Sequence, residues 1–213
     1  MAERPVFIPS ESGPRLVQEV LVPFAWIPGM APSQKMKNVT ALHEVARTMG
    51  LAPLLEISSK SEREVGRRLS AFSLKVTAGG INTTLESCYQ GSKVFENGGP
   101  FIDLFNVSSR EAKADNRLRE SGRLIAFRLE GVDYPLTPSS AFYDWLYIRA
   151  LYPHRDWLKR LHHCAGFTDI EFNPQRSLNC QARSLATFIA LEKRGILQES
   201  VASIFAPATS HRM

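Results

Sequence analysis

Apolar residues recur along this chain with two periods, and those periods divide it into strands and helices. Near the start, VFIP and LVQEVLVPF within residues 1–23 are extended, proline-spaced segments that read as strands or edge pieces. Val39, Leu42, Val45, Ala46 and Met49 make one helical stripe, and Gly50 stops it. Leu54-Leu55-Glu56-Ile57 reads as a buried strand, followed by a polar turn and a short helix over Glu62–Arg68. A helix over Leu85–Phe95 is predicted next, with Thr83 and Thr84 suited to cap it and Asn97-Gly98-Gly99-Pro100 to end it. Ser108–Arg119 reads as a charged, mostly solvated helix, capped by a serine three residues ahead of Glu111. Leu124–Leu129 is a strand that turns at Glu130–Asp133 toward Tyr134-Pro135-Leu136. Pro138 opens a helix with Phe142, Trp145, Leu146 and Arg149 on its inner side, and Asp156–Cys164 forms another. Thr168–Phe172 alternates as a strand broken by Asn173-Pro174, and a last helix spans Leu178–Lys193 with Gly195 as its stop. No internal repeat or low-complexity linker interrupts the pattern. A single α+β domain over residues 1–200 follows, with 201–213 as a loose tail.

Composition narrows the class. The 213 residues are 44% hydrophobic and 22% charged, ordinary for a globular chain. No stretch approaches the roughly 20 apolar residues of a membrane span, and MAERPVFIPSE lacks the apolar core of a signal peptide. Cys88, Cys164 and Cys180 are scattered singly, which argues against a disulfide framework and for a reducing, cytoplasmic setting. Zinc-finger, P-loop, dinucleotide-fingerprint and GxSxG motifs are missing, and the five histidines make no metal set. Neither metal nor cofactor is therefore expected. Lys and Arg total 26 against 21 Asp and Glu, giving a net charge of +5 and a pI near 9.3. That excess permits a polyanionic partner without requiring one.

The candidate chemistry centres on LESCYQGSKVF. At about 3.6 residues per turn, Glu86, Tyr89, Gln90 and Lys93 share one stripe, and Leu85, Cys88, Ser92 and Phe95 the other. An acid, an amide and a lysine together suit a hydrolytic site, but a solvated face with a Glu86–Lys93 charge pair fits the spacing equally. Two other stretches carry candidates. The loop Ala25–Asn38 combines Trp26 with Lys35 and Lys37, either to wrap an anion or as a core anchor with solvated lysines. Ser58-Ser59-Lys60 is a donor-rich turn, able to hold phosphate or ribose or simply to cap the next helix.

LSAF, a loop of about a dozen residues, and then LESCYQGSKVF resemble the signature of the NADAR (YbiA-like) superfamily. Leu69, Ser70 and Phe72 match its first element, and Glu86, Gln90, Lys93 and Phe95 its second. Ala71 stands where Asn is usual and Ser87 where His is usual. FTDIEFNPQRSLNCQARSLATFIAL is similar to the closing strand, turn and helix, with Asn179 nearest to the family's asparagine. SQKMKN, LEISSKSEREVGRRLSAF, SKVFENGGPF and YDWLYI resemble one branch, the NADAR antitoxins paired with DarT-type toxins that ADP-ribosylate guanine in DNA. The resemblance runs from Pro5 to about Leu197. It implies a compact YbiA-like α+β domain, rich in helix with a small sheet. The implied activity is a glycohydrolase that removes ADP-ribose from guanine bases, with ADP-ribosylated DNA as substrate, ADP-ribose as product and a DarT-type toxin as cognate partner.

Breaking the bond between ribose C1 and the guanine nitrogen requires acid–base help and support for an oxocarbenium-like state. Glu86 is the first candidate for that role, with Lys35 and Lys93 as possible Schiff-base formers or phosphate ligands. Gln90 is placed beside Glu86, while Ser58, Ser59, Lys60, Gly98 and Gly99 are candidates to hold pyrophosphate and ribose. Asp144 and Asn179 are candidates to contact ribose or orient water, and Trp26 to stack on the base. Two other readings stay open: an N-glycosidase acting on a small nucleotide-like metabolite, and a non-catalytic antitoxin that binds toxin or ADP-ribose.

Overall fold

The computed structural model describes residues 1–29, 31–175 and 177–205. In chain order it runs β1 (Ala2–Pro9), β2 (Val17–Phe24), α1 (Pro32–Thr48), β3 (Leu54–Glu56), α2 (Glu64–Arg68), β4 (Lys75–Ala78), β5 (Ile81–Thr84) and α3 (Leu85–Gly91). It continues through β6 (Lys93–Phe95), a 3₁₀ turn at Ile102–Asn106, α4 (Ser109–Ala114), α5 (Arg117–Glu120), β7 (Leu124–Leu129) and β8 (Val132–Tyr134). α6 (Ala141–Leu151), α7 (Arg155–Leu158), β9 (Gly166–Thr168), α8 (Gln181–Lys193) and α9 (Leu197–Phe205) complete the α+β domain.

The largest sheet has the order β2-β1-β9-β3, antiparallel except for the parallel β3–β9 pair. Side chains of a strand alternate between faces. Val6 and Leu54 accordingly meet Val39, Leu42 and Ala46 of α1, while Phe7, Leu55 and Phe167 enter the main core with α6 and α8. A hairpin, β4–β5, and a three-stranded sheet, β6-β7-β8, flank that core.

α3 packs into that core through Leu85 and Cys88, with Glu86, Ser87, Gln90 and Gly91 also buried. Its opening N–H groups, which no helix can satisfy internally, are all taken. Leu85 N–H donates to Leu74 O at 2.8 Å, Glu86 N–H to Ala71 O at 3.0 Å, and Ser87 N–H to Thr84 Oγ1 at 3.2 Å. The LSAF turn and the helix that carries Glu86 are thus hydrogen-bonded into one unit.

Several element boundaries differ from the sequence reading. α1 begins at Pro32 rather than Val39, because proline suits the first helical position and Asn38 holds the Ile27 backbone through bonds of 2.8 and 2.9 Å. Lys35 and Lys37 therefore ride on a helix and not in a loop. α3 stops at Gly91, and Lys93–Phe95 pairs with β7 as a strand, where Val94 and Phe95 gain ladder partners. The β4–β5 hairpin lies in a stretch read as loop, and its Gly79-Gly80 turn was the available signal. The charged helix splits where the Asp115 carboxylate accepts the Arg117 N–H at 2.9 Å. The helix read from Pro138 is α6, which starts at Ala141, and those read over Asp156–Cys164 and Leu178–Lys193 are α7 with a 3₁₀ turn at Lys159–Leu161 and α8, both shorter than predicted. The strand read over Thr168–Phe172 lies earlier, as β9 (Gly166–Thr168), with only Thr168 common to both; beyond it the chain turns as Phe172 N–H reaches Asp169 O at 3.1 Å. α9 extends to Phe205 with Val201 buried, so the tail read from residue 201 begins inside a packed helix. Residues 206–213 of that tail lie outside the described residues.

Candidate functional site

Glu86, in the first turn of α3, lines a cavity of about 670 Å³, within the range of pockets that hold nucleotide-sized ligands. The LSAF turn, the Ser58–Lys60 turn, Arg110 and Lys113 of α4, and Asp169, Asn179 and Gln181 are among its other walls. Glu86 is only 6% exposed, and Gln90 Nε2 donates to its Oε1 at 2.9 Å. Lys93 Nζ in turn donates to Gln90 Oε1 at 2.7 Å, and Lys113 Nζ stands 3.7 Å from Glu86 Oε1. The amide of Gln90 therefore joins acid and base, using its donor toward one and its acceptor toward the other. Burial lowers the Lys93 amine below the ordinary lysine range, against the opposing pull of the Glu86 charge.

Aromatic side chains flank this triad. Lys93 Nζ lies 5.0 Å from the Tyr89 ring centroid, and Tyr143 meets Tyr89 edge-on at 5.2 Å. Burial pushes the Tyr89 phenol up to about 12, so it stays protonated, and its oxygen accepts a 2.8 Å bond from Asn179 Nδ2. Asn179 Oδ1 is buried without a protein partner among the described residues.

The opposite wall is organised by two buried acids. Asp169 lines the cavity, and Glu56 stands behind it, accepting bonds from Ser58 Oγ (2.6 Å), Thr168 Oγ1 (2.6 Å) and Ile170 N–H (2.8 Å). Burial raises both above the usual carboxylate range, and for Asp169 the Glu56 charge adds to it. Gln181 at the start of α8 bonds Asp169 and accepts the Ala71 N–H at 2.7 Å, which ties this wall to the LSAF turn. Lys60, Arg110 and Lys113 add positive charge to the lining.

The fold thus gathers Glu86, Gln90, Lys93, Ser58, Ser59, Lys60 and Asn179 around one space. Five other candidates stand apart from it. Asp144 joins α6 to α8, accepting Ser184 Oγ at 2.6 Å and pairing with Arg183 at 3.5 Å. Gly98 and Gly99 close the turn after β6; Phe95 N–H reaches Gly98 O at 2.7 Å. Gly99 has φ +87°, and a Cβ there would come within 2.3 Å of Lys93 O, so its role is conformational. Trp26 packs against Phe24 and under the cations of Arg4 and Lys35, which lie 5.1 and 5.2 Å from its ring. Lys35 reaches the cavity only through its wall, with Nζ 3.6 Å from the lining residue Glu171.

Asp169, Gln181, Arg110 and Lys113 line the cavity without having been singled out as site residues. Asp169 passes in sequence for a strand position, and Gln181 for a helical one. The spacing of Arg110 and Lys113 was a signal, since residues three apart share a helix face.

Among the described residues no group of three or more His, Cys, Asp or Glu is arranged to hold a metal ion, and no helix is long and apolar enough to cross a membrane. A family model described as DarT1-associated NADAR antitoxin matches residues 2–209 of the chain. A search of curated proteins returns no match.

Proposed function

The chain belongs to the DarT1-associated NADAR antitoxin family, and on that premise we propose that its cavity removes ADP-ribose from guanine bases of DNA. The observation that carries this reading is the position of Glu86: a motif carboxyl group, nearly buried, on a cavity lined by Lys60, Arg110 and Lys113. Cations at the mouth suit a pyrophosphate, and an acid in the depth suits a glycosidic carbon.

In the direct route, Glu86 supports the positive charge that develops as the C1–N bond lengthens and takes a proton from the attacking water. Water supplies OH to C1 and the leaving guanine nitrogen gains the proton. The Gln90 amide fixes the Glu86 carboxyl at 2.9 Å, and that geometry needs no rearrangement as charge builds. Tyr89, Tyr143 and Phe72 offer faces on which a base taken out of its stack can rest.

The desolvation of Lys93 favours a second route. A neutral amine attacks C1 of the ring-opened sugar, displaces guanine and leaves a lysine imine that water then hydrolyses. Lys93 is the nearer candidate because it lines the cavity; Lys35 stands behind Glu171. Borohydride trapping with substrate, followed by peptide mapping, separates the routes. An adduct on either lysine supports the imine, and its lack supports direct hydrolysis.

The decisive experiment incubates DNA carrying ADP-ribosylated guanine with the native protein and with Glu86→Gln. Release of ADP-ribose by the native protein alone is the expected result. A variant that still neutralises the toxin would instead mark a binding antitoxin.

A further inference from the structure

Two grooves lead away from the cavity across the surface. Phe72 and Arg110 wall the cavity, and the same two residues wall a neighbouring groove of about 710 Å³. Lys75 belongs to that groove and also to a third concavity of about 510 Å³, which Arg68, His154 and Trp157 help to line. Shared walls place the three side by side in that order.

The outer two share a chemistry that differs from the cavity's depth. No Asp or Glu is among the described residues lining either; Arg110 and Lys75 line the first, with hydroxyl and amide groups such as Thr84, Ser108 and Asn82, and Lys75 and Arg68 line the second, among Leu69, Leu74 and Leu158. An exposed aromatic ring stands at each end: Phe72 and Trp157 are both 41% exposed. Each ring carries a cation, Lys113 Nζ at 5.2 Å from Phe72 and the Arg160 guanidinium at 4.4 Å from Trp157. Cations without competing carboxylates, scattered donors and accessible aromatic faces are what a single nucleic-acid strand requires, for phosphates and bases respectively.

We propose that this tract is a binding surface for single-stranded DNA, carrying the strand that flanks the modified guanine while that guanine occupies the cavity. The proposal rests on the DNA-directed function above. Phosphates lie along Arg110, Lys75 and Arg68, and bases rest on Phe72 and Trp157. The Arg68–Glu64 pair does not oppose this, because both side chains are largely exposed and such a pair exchanges readily for a phosphate.

Trp157→Ala and Lys75→Ala test it, both outside the catalytic cavity. Anisotropy of a labelled oligothymidylate of about 15 nucleotides measures binding. Trp157→Ala is expected to weaken affinity at least about fivefold, the lower end for loss of one stacked base. Lys75→Ala is expected to reduce the slope of log K against log salt by about 0.7, one single-strand phosphate contact. Release of ADP-ribose from a modified oligonucleotide should fall in both variants, while release from the modified guanine nucleoside stays at the native rate. Unchanged oligonucleotide affinity overturns the proposal. So does an equal fall on nucleoside and oligonucleotide, which would mean that the residues support the fold. Lost toxin binding with oligonucleotide binding intact also overturns it and assigns the tract to protein. If the native protein releases nothing from either substrate, the glycohydrolase reading fails, and the anisotropy still decides the tract.

Discussion

Glu86→Gln separates chemistry from folding, because its two effects differ in size. The native Glu86 carboxyl is buried, accepts a 2.9 Å bond from Gln90 Nε2, and lies 3.7 Å from Lys113 Nζ. Glutamine keeps the shape, and its own Oε1 can still accept from Gln90. What is lost is the attraction to Lys113, whose side chain is 60% exposed. A pair with so exposed a partner is worth about 0–1 kcal/mol. For a chain of this size that shifts the melting temperature by no more than about 2–4 °C. The catalytic loss is larger: a positioned acid or base contributes about 10²–10⁴ in rate, or roughly 3–5 kcal/mol of barrier. Glu86→Ala should behave differently, since it leaves a buried amide N–H without its acceptor at a cost of about 1–3 kcal/mol in stability. The assay pairs release of ADP-ribose from modified DNA with thermal unfolding of all three proteins. A Gln variant within about tenfold of native release would refute the role of Glu86. A Gln variant that melts as low as the Ala variant would refute the geometry, by showing that Glu86 holds the fold and not the substrate.

Three further outcomes follow from the same contacts. Asp144→Asn should leave ADP-ribose release unchanged and reduce stability by about 1 kcal/mol, because the charge-assisted part of the Ser184 bond is lost; denaturant unfolding measures it. Gly99→Ala should cost about 1–3 kcal/mol, since φ +87° is strained for alanine and its Cβ meets Lys93 O; release should fall with it as the β6 strand holding Lys93 shifts. His43 is held neutral by burial, its pKa lowered to about 4, with Nε2 2.8 Å from Thr168 Oγ1. No penalty exists above the unfolded value of about 6.5; it grows as pH falls and is complete below about 4, reaching roughly 3 kcal/mol. The raised carboxyls of Glu56 and Asp169 have the opposite sign, favouring the folded state as pH falls through their own range. Urea midpoints at neutral and acid pH should therefore show a flatter acid limb in His43→Gln than in the native protein.

Local pattern was enough for most elements. β1, β2 and β7 were legible because their β-branched and aromatic residues suit a pleated, half-buried surface. The amphipathic stripe located α1 and α8, though not their first turns, since Pro32 and Gln181 act through neighbours the stripe does not contain. The Lys93–Phe95 strand was illegible because its pairing with β7 is set by residues some thirty positions downstream.

The sequence by itself determined the fold class, the family motif and the nearness of Glu86 to Gln90, because side chains four apart on one helix must be neighbours; Lys93 meets Gln90 from strand β6, just past the end of that helix. Only the tertiary structure decided whether that stripe faced water or a cavity. It did so by hydrogen-bonding α3 to the LSAF turn and by bringing Asp169 and Gln181 across from the other end of the chain. It also removed Asp144, Gly98, Gly99 and Trp26 from the lining and set Lys35 behind Glu171. Those placements depend on contacts between residues far apart in sequence, whose geometry no local periodicity encodes.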